Sequence, residues 1–470
     1  MRSLPVLVVA ACVAATSVAH AQAPIEVSYD HVHSTVLDNG LTVVVVEAPA
    51  LPIVTIEIAV RNGAFTEEPE FNGLSHLYEH MFFKANAEFD SQEAYMDRLR
   101  ELGASWNGTT GDERVNYFFT LQSDRLREGL DFMNAAIRTP VFEPDELVRE
   151  REVVLGEYDR NEADPGYHLF QAIDDLLWFE HRSRKDSLGD REAIGNATVE
   201  QMRWMQETYY IPNNSLLVLS GDVTADAGFA MAEEVFGDWA SGPDPFEAYP
   251  IPEHPPLAEP VATVVEQPIG LSIVALAWHG PDTRNDVDAT YAADVFSFAL
   301  GQQSSGFQQR LVESGITLQA GIGYQTNRYT GPIRLTMAVA PGRELEAIEA
   351  ALAEIERFDA DDYVTDEQIA AAQTLLAVSD LYTQQAVDDL AHTMSYWWAS
   401  ADIDYYLGYV EALANVERAE MQRYVREYIQ GEPMAVVLMS SPEHIASSGL
   451  TADDLLSAVA GTDDANEEGE

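Results

Sequence analysis

The chain is almost without cysteine and lysine. Its one cysteine is Cys12, and its two lysines are Lys84 and Lys185. The remaining basic residues are arginine, so 26 basic side chains face 79 acidic ones, for a formal net charge of −53 over 470 residues. A surface so poor in positive charge excludes nucleic acid as a partner, because phosphate contacts need a basic face. It also argues against docking on anionic lipid. No stretch reaches the ~20 apolar residues that a membrane-spanning helix needs. Disorder is excluded as well, since the chain is 46% hydrophobic and 10% aromatic. What remains is a globular protein in an acidic shell. That shell, with so little lysine, has the look of adaptation to high salt, where ions screen self-repulsion.

The single cysteine falls in a segment of its own. Met1-Arg2 precedes an apolar, Ala-rich run from Leu4 to Val18, and Ala19-His20-Ala21 fits an A-x-A cleavage site. Residues 1–21 read as a signal peptide cut before Gln22, which sends the mature protein across the inner membrane to the periplasm. Val9-Ala10-Ala11-Cys12 has the form of a lipoprotein box, but apolar sequence continues past it. Once the signal is removed, no cysteine is left, and disulfides and thiol catalysis are excluded.

Proline concentrates between Ser241 and Pro260, where Pro243, Pro245, Pro250, Pro252, Pro255, Pro256 and Pro260 fall. This density predicts an extended linker. The stretches on either side are similar in length and in pattern. Glu200–Ser220 aligns with Glu420–Ser440 at a constant offset of 220, pairing Glu200 with Glu420, Arg203 with Arg423, Trp204 with Tyr424 and Glu207 with Glu427. Each block reads as an amphipathic helix, a turn and an apolar strand. The same offset carries the strand Ile53–Val60 onto Ile273–Gly280. A long-period repeat means two copies of one α/β unit. The expected division is a first repeat over 22–240, a linker over 241–260, a second repeat over 261–461, and an acidic tail over 462–470. Helices are expected at Ser91–Leu102, Ser123–Arg138, Glu146–Asn161 and Glu344–Arg357.

Chemistry concentrates at His76-Leu77-Tyr78-Glu79-His80. Leu74, Leu77, Met81, Phe82 and Phe83 make the surrounding segment a helix with an apolar face. Positions i and i+4 share one side of a helix, so His76 and His80 can offer two imidazoles to one metal. Glu79 borders the same site and can act as a general base. This is the inverted zinc motif H-x-x-E-H, which a chain of this composition would contain by accident roughly 0.02 times. Two imidazoles and a carboxylate with one open position suit zinc, and the chemistry implied is attack of water on an amide. The plain alternative is a pair of solvent-facing histidines. A third ligand would come from the acidic helix Glu143–Asn161. Glu150 and Glu157 lie two turns apart on nearly one face, and spacing alone does not choose between them.

Together HLYEH, ASWNGTT and EREVVLGE resemble the pitrilysin/insulinase family of inverted-motif zinc peptidases. LDNGLTVVVVE and YYIPNNSLLVLSGDV extend the likeness over nearly the whole mature chain. Its two-repeat size is similar to the bacterial branch related to mitochondrial processing peptidase, whose beta subunit carries the metal motif. The resemblance implies an α+β fold of two homologous domains, each a mostly antiparallel sheet covered by helices, facing each other around a chamber. It implies one Zn2+ per chain and hydrolysis of unfolded peptides by a metalloendopeptidase. It implies Glu157, 77 residues after His80, as the third ligand, with Glu150 orienting the site. It also implies Asn107, Gly108 and Phe83 as substrate contacts, the first two on a strand that pairs with extended peptide. Without the resemblance, Asn107-Gly108 reads as a turn.

The second repeat departs from this pattern. Phe296, Ala299 and Leu300 stand at the offset positions of His76, Glu79 and His80, so it holds no metal motif. Members of the family usually carry an Arg and a Tyr seven apart in the second repeat, close to the substrate carbonyl. Here Val312 stands for the Arg and Thr317 or Leu318 for the Tyr. Arg310, Tyr324 and Arg328 are the candidate substitutes. The resemblance then implies a zinc-bearing subunit whose homologous partner supplies the Arg/Tyr pair; a homodimer, or a non-catalytic peptide-binding subunit, is the alternative. An acidic chamber would favour basic or neutral peptides.

Overall fold

A computed structural model describes residues 27–461. The expected signal peptide with Cys12, and the acidic tail, lie outside these residues. Among the described residues eleven strands form two sheets. The first contains β1 (Val32–Val36), β2 (Thr42–Glu47), β3 (Ile53–Val60), β4 (Ser105–Thr110), β5 (Val115–Gln122) and β6 (Ser215–Gly221), in the order β1-β2-β6-β3-β5-β4. The second contains β7 (Val261–Glu266), β8 (Ser272–His279), β9 (Gln319–Tyr324), β10 (Pro332–Val339) and β11 (Ala435–Ser440), in the order β7-β11-β8-β10-β9. Only β2/β6 and β7/β11 pair in parallel; every other pair is antiparallel. The second order reproduces the first without β1, so the sequence repeat is a repeat of topology. The fold is α+β, with two sheets covered by helices.

Alternation explains how the layers assemble. In β3, Val54, Ile56, Ile58 and Val60 point to a core formed with the first half's own helices. These include α1 (Leu74–Phe82), α2 (Gln92–Leu102), α3 (Leu126–Arg138) and α4 (Pro144–Glu162). Thr55, Glu57 and Ala59 point the other way and are fully buried too. What covers them comes from the second half. Leu390, Ala391, Met394 and Trp398 of the helix Val387–Ser400 pack on Val44, Val46, Ala59, Leu216 and Val218. The arrangement is reciprocal. Leu169, Ile173 and Leu177 of α5 (Pro165–Leu177) cover Ala275, Ala277, Ala435 and Val437 of the second sheet. At about 1.5–3 kcal/mol per large side chain buried, each crossover is worth several kcal/mol.

Polar contacts lock the exchange. The Glu57 carboxylate accepts from Asn116 Nδ2 at 2.7 Å and bonds to His392 and Ser395 of the second half's crossover helix. Arg114 donates to His392 O at 2.7 Å and Ser395 Oγ at 2.6 Å. Glu113 accepts backbone N–H bonds from Arg328 at 2.7 Å and Tyr329 at 2.8 Å. Lys185 donates to the carbonyls of Tyr329 at 2.6 Å and Thr330 at 2.9 Å. The proline-rich segment packs instead of standing free. It holds a turn of helix at Pro245–Ala248, and Leu257 is buried beneath α5. Between the halves lies a cavity of about 470 Å³, walled by His76 and Thr110 from one side and Gln325 and Arg334 from the other.

Burial pushes the Glu113 carboxyl up to about 7; Lys185 and its two N–H donors oppose the shift, and Asp112 adds to it. A carboxyl raised in the folded state contributes stability that is complete below its ordinary value near 4.5 and is lost as pH rises through about 7. We expect unfolding midpoints of the parent chain to fall across this window relative to Glu113→Gln, by the equivalent of ~1–3 kcal/mol. Denaturant titrations at pH 4.5, 6 and 7.5 check this, and parallel curves for the two proteins would exclude Glu113 as the source.

Candidate metal centre

The motif helix begins where a buried acid stops the preceding turn. Glu67, 2% exposed, accepts from Gly73 N and Ser75 N at 2.7 Å each, so it takes up free N–H groups at the start of α1. Gly73 has φ 91° and sits against Gly189, whose Cα would lie 2.9 Å from an added Cβ. A side chain there would be strained and would clash. Leu74, Leu77, Tyr78, Met81 and Phe82 then bury one side of α1. Tyr78 stacks on Tyr210 and Phe82 on Tyr117. His76, Glu79, His80 and Phe83 are left on the other side, spaced i, i+3, i+4 and i+7.

α4 supplies the facing groups. Leu147, Glu150 and Val154 are buried along it, and Glu157 continues the same stripe by one turn. Glu157 Oε2 lies 3.5 Å from His76 Nε2 and 3.8 Å from His80 Nε2. Donor atoms of these three residues all fall within 4.8 Å of one another, which is the arrangement that could hold a metal ion. Glu150 takes a different place. Its Oε2 lies 3.2 Å from His80 Nδ1, and its Oε1 lies 2.6 Å from Lys84 Nζ. The structure thus separates the two acids that spacing alone left level: Glu157 faces both imidazole Nε2 atoms, and Glu150 holds the far nitrogen of one of them. Among the described residues, His76 Nδ1 is buried without a hydrogen-bond partner.

The electrostatics follow from crowding. Burial, aided by His80, pushes His76 down to about 4, which keeps it a neutral imidazole. Burial also opposes charge on His80, but Glu150, Glu79 and Glu157 outweigh it and raise its pKa. Glu150 is held low by His80 and Lys84 against the opposing effect of burial. Burial raises Glu79, with His80 and the Thr110 hydroxyl opposing.

β4 forms the opposite wall. It is the outer strand of its sheet, with one edge unpaired among the described residues. Trp106, Gly108 and Thr110 alternate toward α1. The Trp106 ring lies 4.7 Å from that of Phe83, and a Cβ on Gly108 would fall 3.0 Å from Glu79 and 3.1 Å from Phe83. Thr110 Oγ1 donates to Glu79 Oε2 at 3.0 Å. Phe83, Asn107 and Gly108 line the same cleft of about 490 Å³ with His76, Glu79, His80, Glu150 and Glu157, so all the sequence candidates of the first half converge. The candidates of the second half do not. Arg310 pairs with Glu354, the Tyr324 hydroxyl donates to Pro281 O at 2.9 Å, and Arg328 Nη1 donates to Ala401 O at 3.0 Å. Lys84 and Thr110 are the residues that sequence reasoning missed. Thr110 had a signal in the strand alternation with Trp106 and Gly108, whereas the partner of Lys84 is visible only in three dimensions.

Glu67→Ala should cost about 1–3 kcal/mol, because it leaves two buried N–H groups unmet. Thermal or denaturant unfolding measures this, and a change below about 0.5 kcal/mol would assign the cap elsewhere.

Residues 42–188 match the family model described as insulinase (peptidase family M16), and residues 196–376 match the one described as the M16 inactive domain. A Rickettsia felis protein named an uncharacterized zinc protease is 25% identical over 206 residues, 44% of this chain and 50% of that protein. A Bacillus subtilis protein named uncharacterized zinc protease YmxG is 25% identical over 201 residues, 43% and 49% of the two chains. Bovine insulin-degrading enzyme is 26% identical over 228 residues, 47% of this chain and 22% of that enzyme. The chain spans about half the length, or less, of these curated relatives. Among solved structures, a protease from Helicobacter pylori shares the fold with a TM-score of 0.77 at 20% identity, covering 87% of this chain and 99% of that one. The periplasmic protease PqqL of Escherichia coli does so with a TM-score of 0.74 at 16% identity, covering 91% and 50%. The chain belongs to the pitrilysin/insulinase family of peptidases, M16.

Proposed function

We propose that the protein is a zinc metalloendopeptidase acting on extended, unfolded peptides, with His76, His80 and Glu157 as the metal ligands and Glu79 as the general base. The convergence of two imidazole Nε2 atoms on one Glu157 oxygen carries the reading. The donor set fits zinc: two nitrogens and a carboxylate oxygen, with the tautomer of His80 fixed from behind by Glu150. A bound zinc ion supplies a Lewis acid that makes water a stronger acid and polarises a carbonyl.

The remaining steps belong to the chain's own groups. The unpaired edge of β4 adds an extended peptide as a further strand, and the backbone bonds that result are indifferent to side-chain identity. Asn107 and Gly108 lie on that strand, and Phe83 with Trp106 gives the cleft its apolar wall. Glu79 takes the proton of the attacking water and returns it to the leaving amine. Lys84 neutralises the outer oxygen of Glu150, so that Glu150 holds His80 without competing for the metal.

The candidate substitutes for the missing Arg/Tyr pair are all bound elsewhere, and this favours the zinc-bearing subunit of a two-chain enzyme over one that is complete alone. A non-catalytic peptide-binding subunit is the second reading, supported by the same absence. We read the chain as repeats 22–240 and 261–461 joined through 241–260, exported by residues 1–21 to the periplasm. PqqL, which shares the fold, is described as periplasmic.

Glu79→Gln should abolish peptide hydrolysis and leave one zinc per chain, measured by turnover and metal analysis. Normal turnover would overturn the mechanism. Glu150→Ala should weaken zinc binding about 10- to 100-fold in a competition titration. Turnover of the mature chain should rise when a homologous chain bearing the Arg/Tyr pair is added, and full activity without one would refute the two-chain reading.

A further inference from the structure

Glu79 receives one hydrogen bond from the protein among the described residues, and it comes from the strand that the reading above assigns to substrate. Thr110 Oγ1 donates to Glu79 Oε2 at 3.0 Å. The other oxygen, Oε1, lies against Gly108 and accepts nothing from the protein. A carboxylate without the Thr110 bond could turn about its long side chain, since glutamate has three rotatable torsions. With Oε2 held by a hydroxyl and Oε1 bare, one oxygen is left to receive a proton.

Thr110 is itself held from both halves. It closes β4, and the turn after it is tied down on every side. Gly111 O accepts from Ala64 N at 3.3 Å and Asp112 O accepts from Phe65 N at 2.9 Å, within the first half. Glu113 and Arg114 then fasten the turn to Arg328, Tyr329, His392 and Ser395 of the second half. A hydroxyl at the end of an edge strand would ordinarily be free to follow that strand's motion. This one is anchored three and four residues downstream by polar contacts that cross the molecule.

We propose that Thr110 is the positioning residue for Glu79: its hydroxyl fixes one carboxylate oxygen so that the other meets the attacking water, and the second half, which has no metal motif of its own, sets that hydroxyl through the Glu113–Arg114 turn. The proposal rests on Glu79 being the general base. Thr110 exchanges no proton. It donates to Oε2 both when Glu79 is ionised and when Oε1 carries the proton taken from water.

The test uses the full mature chain, with its partner if one is needed. Thr110→Val keeps the shape and removes the donor, and Thr110→Ser keeps the donor. Thr110→Val should lower kcat about 10- to 100-fold with KM within about twofold, because the bond acts on the base and not on peptide affinity. Thr110→Ser should restore kcat to within about threefold. Zinc content should stay at the parent value in both, and in a Glu79→Gln background Thr110→Val should leave the peptide Kd unchanged. Crystal structures of the zinc-loaded variants give a readout without turnover: Glu79 in one conformer in the parent and Thr110→Ser, and in more than one in Thr110→Val. Parent-like kcat in Thr110→Val with Glu79→Gln inactive would overturn the role of Thr110 alone, as would failure of the serine to rescue or a single Glu79 conformer in the valine variant. Turnover retained by Glu79→Gln would overturn the base assignment and this proposal with it.

Discussion

Two apolar sheet faces, one in each half, are covered chiefly by helices from the opposite half. β3 is buried on both sides, and so are β8 and β11. A strand of this kind must be sandwiched, and the helices of its own repeat supply one layer only. The second layer arrives by exchange, α5 in one direction and the helix Val387–Ser400 in the other. Several kcal/mol of apolar burial on each side is comparable with the whole net stability of a typical domain. Neither half therefore has a closed core without the other. The arrangement also explains a buried acid in the middle of a sheet: Glu57 sits on the exchanged face, where the incoming helix brings His392 and Ser395 to meet it.

The same exchange holds the cleft in shape. The candidate metal ligands all come from α1 and α4, and these pack within the first half. The wall opposite them does not stand on that half alone. β4 ends in a turn whose carboxylate and guanidinium are spent on the second half's backbone and crossover helix. A repeat without a metal motif thus helps fix the geometry of the other's edge strand. A rigid frame of this sort suits a site in which a base, a metal and an extended peptide must meet within hydrogen-bonding distance.

Much of this was legible in the sequence, and the reasons are local. Helix periodicity around His76 and His80, and an offset of 220 repeated through helix, turn and strand, rest on neighbours along the chain. They correctly indicated α1, the helices at Ser91–Leu102 and Glu344–Arg357 to within a few residues, and the doubled topology. The choice between Glu150 and Glu157 was not available from spacing, because both lie on one face of α4. Only the packing angle of α4 on α1 gives each its different neighbour. Arg310, Tyr324 and Arg328 looked available as single residues. Their partners, Glu354, Pro281 and Ala401, lie 44, 43 and 73 positions away, beyond what pattern reading sees. The exchange of helices left no mark either, since an amphipathic helix reads the same whichever sheet it covers.

The scarcity of lysine has a further meaning once the two lysines are placed. Lys84 is 8% exposed and holds Glu150 behind the candidate metal site. Lys185 lies over the Trp178 ring at 4.6 Å and grips the second half by two carbonyls. Neither ammonium belongs to the general surface. Amine-directed reagents, which in most proteins decorate the exterior indiscriminately, would here find two lysine side chains, each engaged in the folded chain, that report on the cleft and on the seam between the halves. Reactivity gained at Lys84 would mark loosening of the site, and reactivity gained at Lys185 opening of the seam, with almost no background from the shell around them.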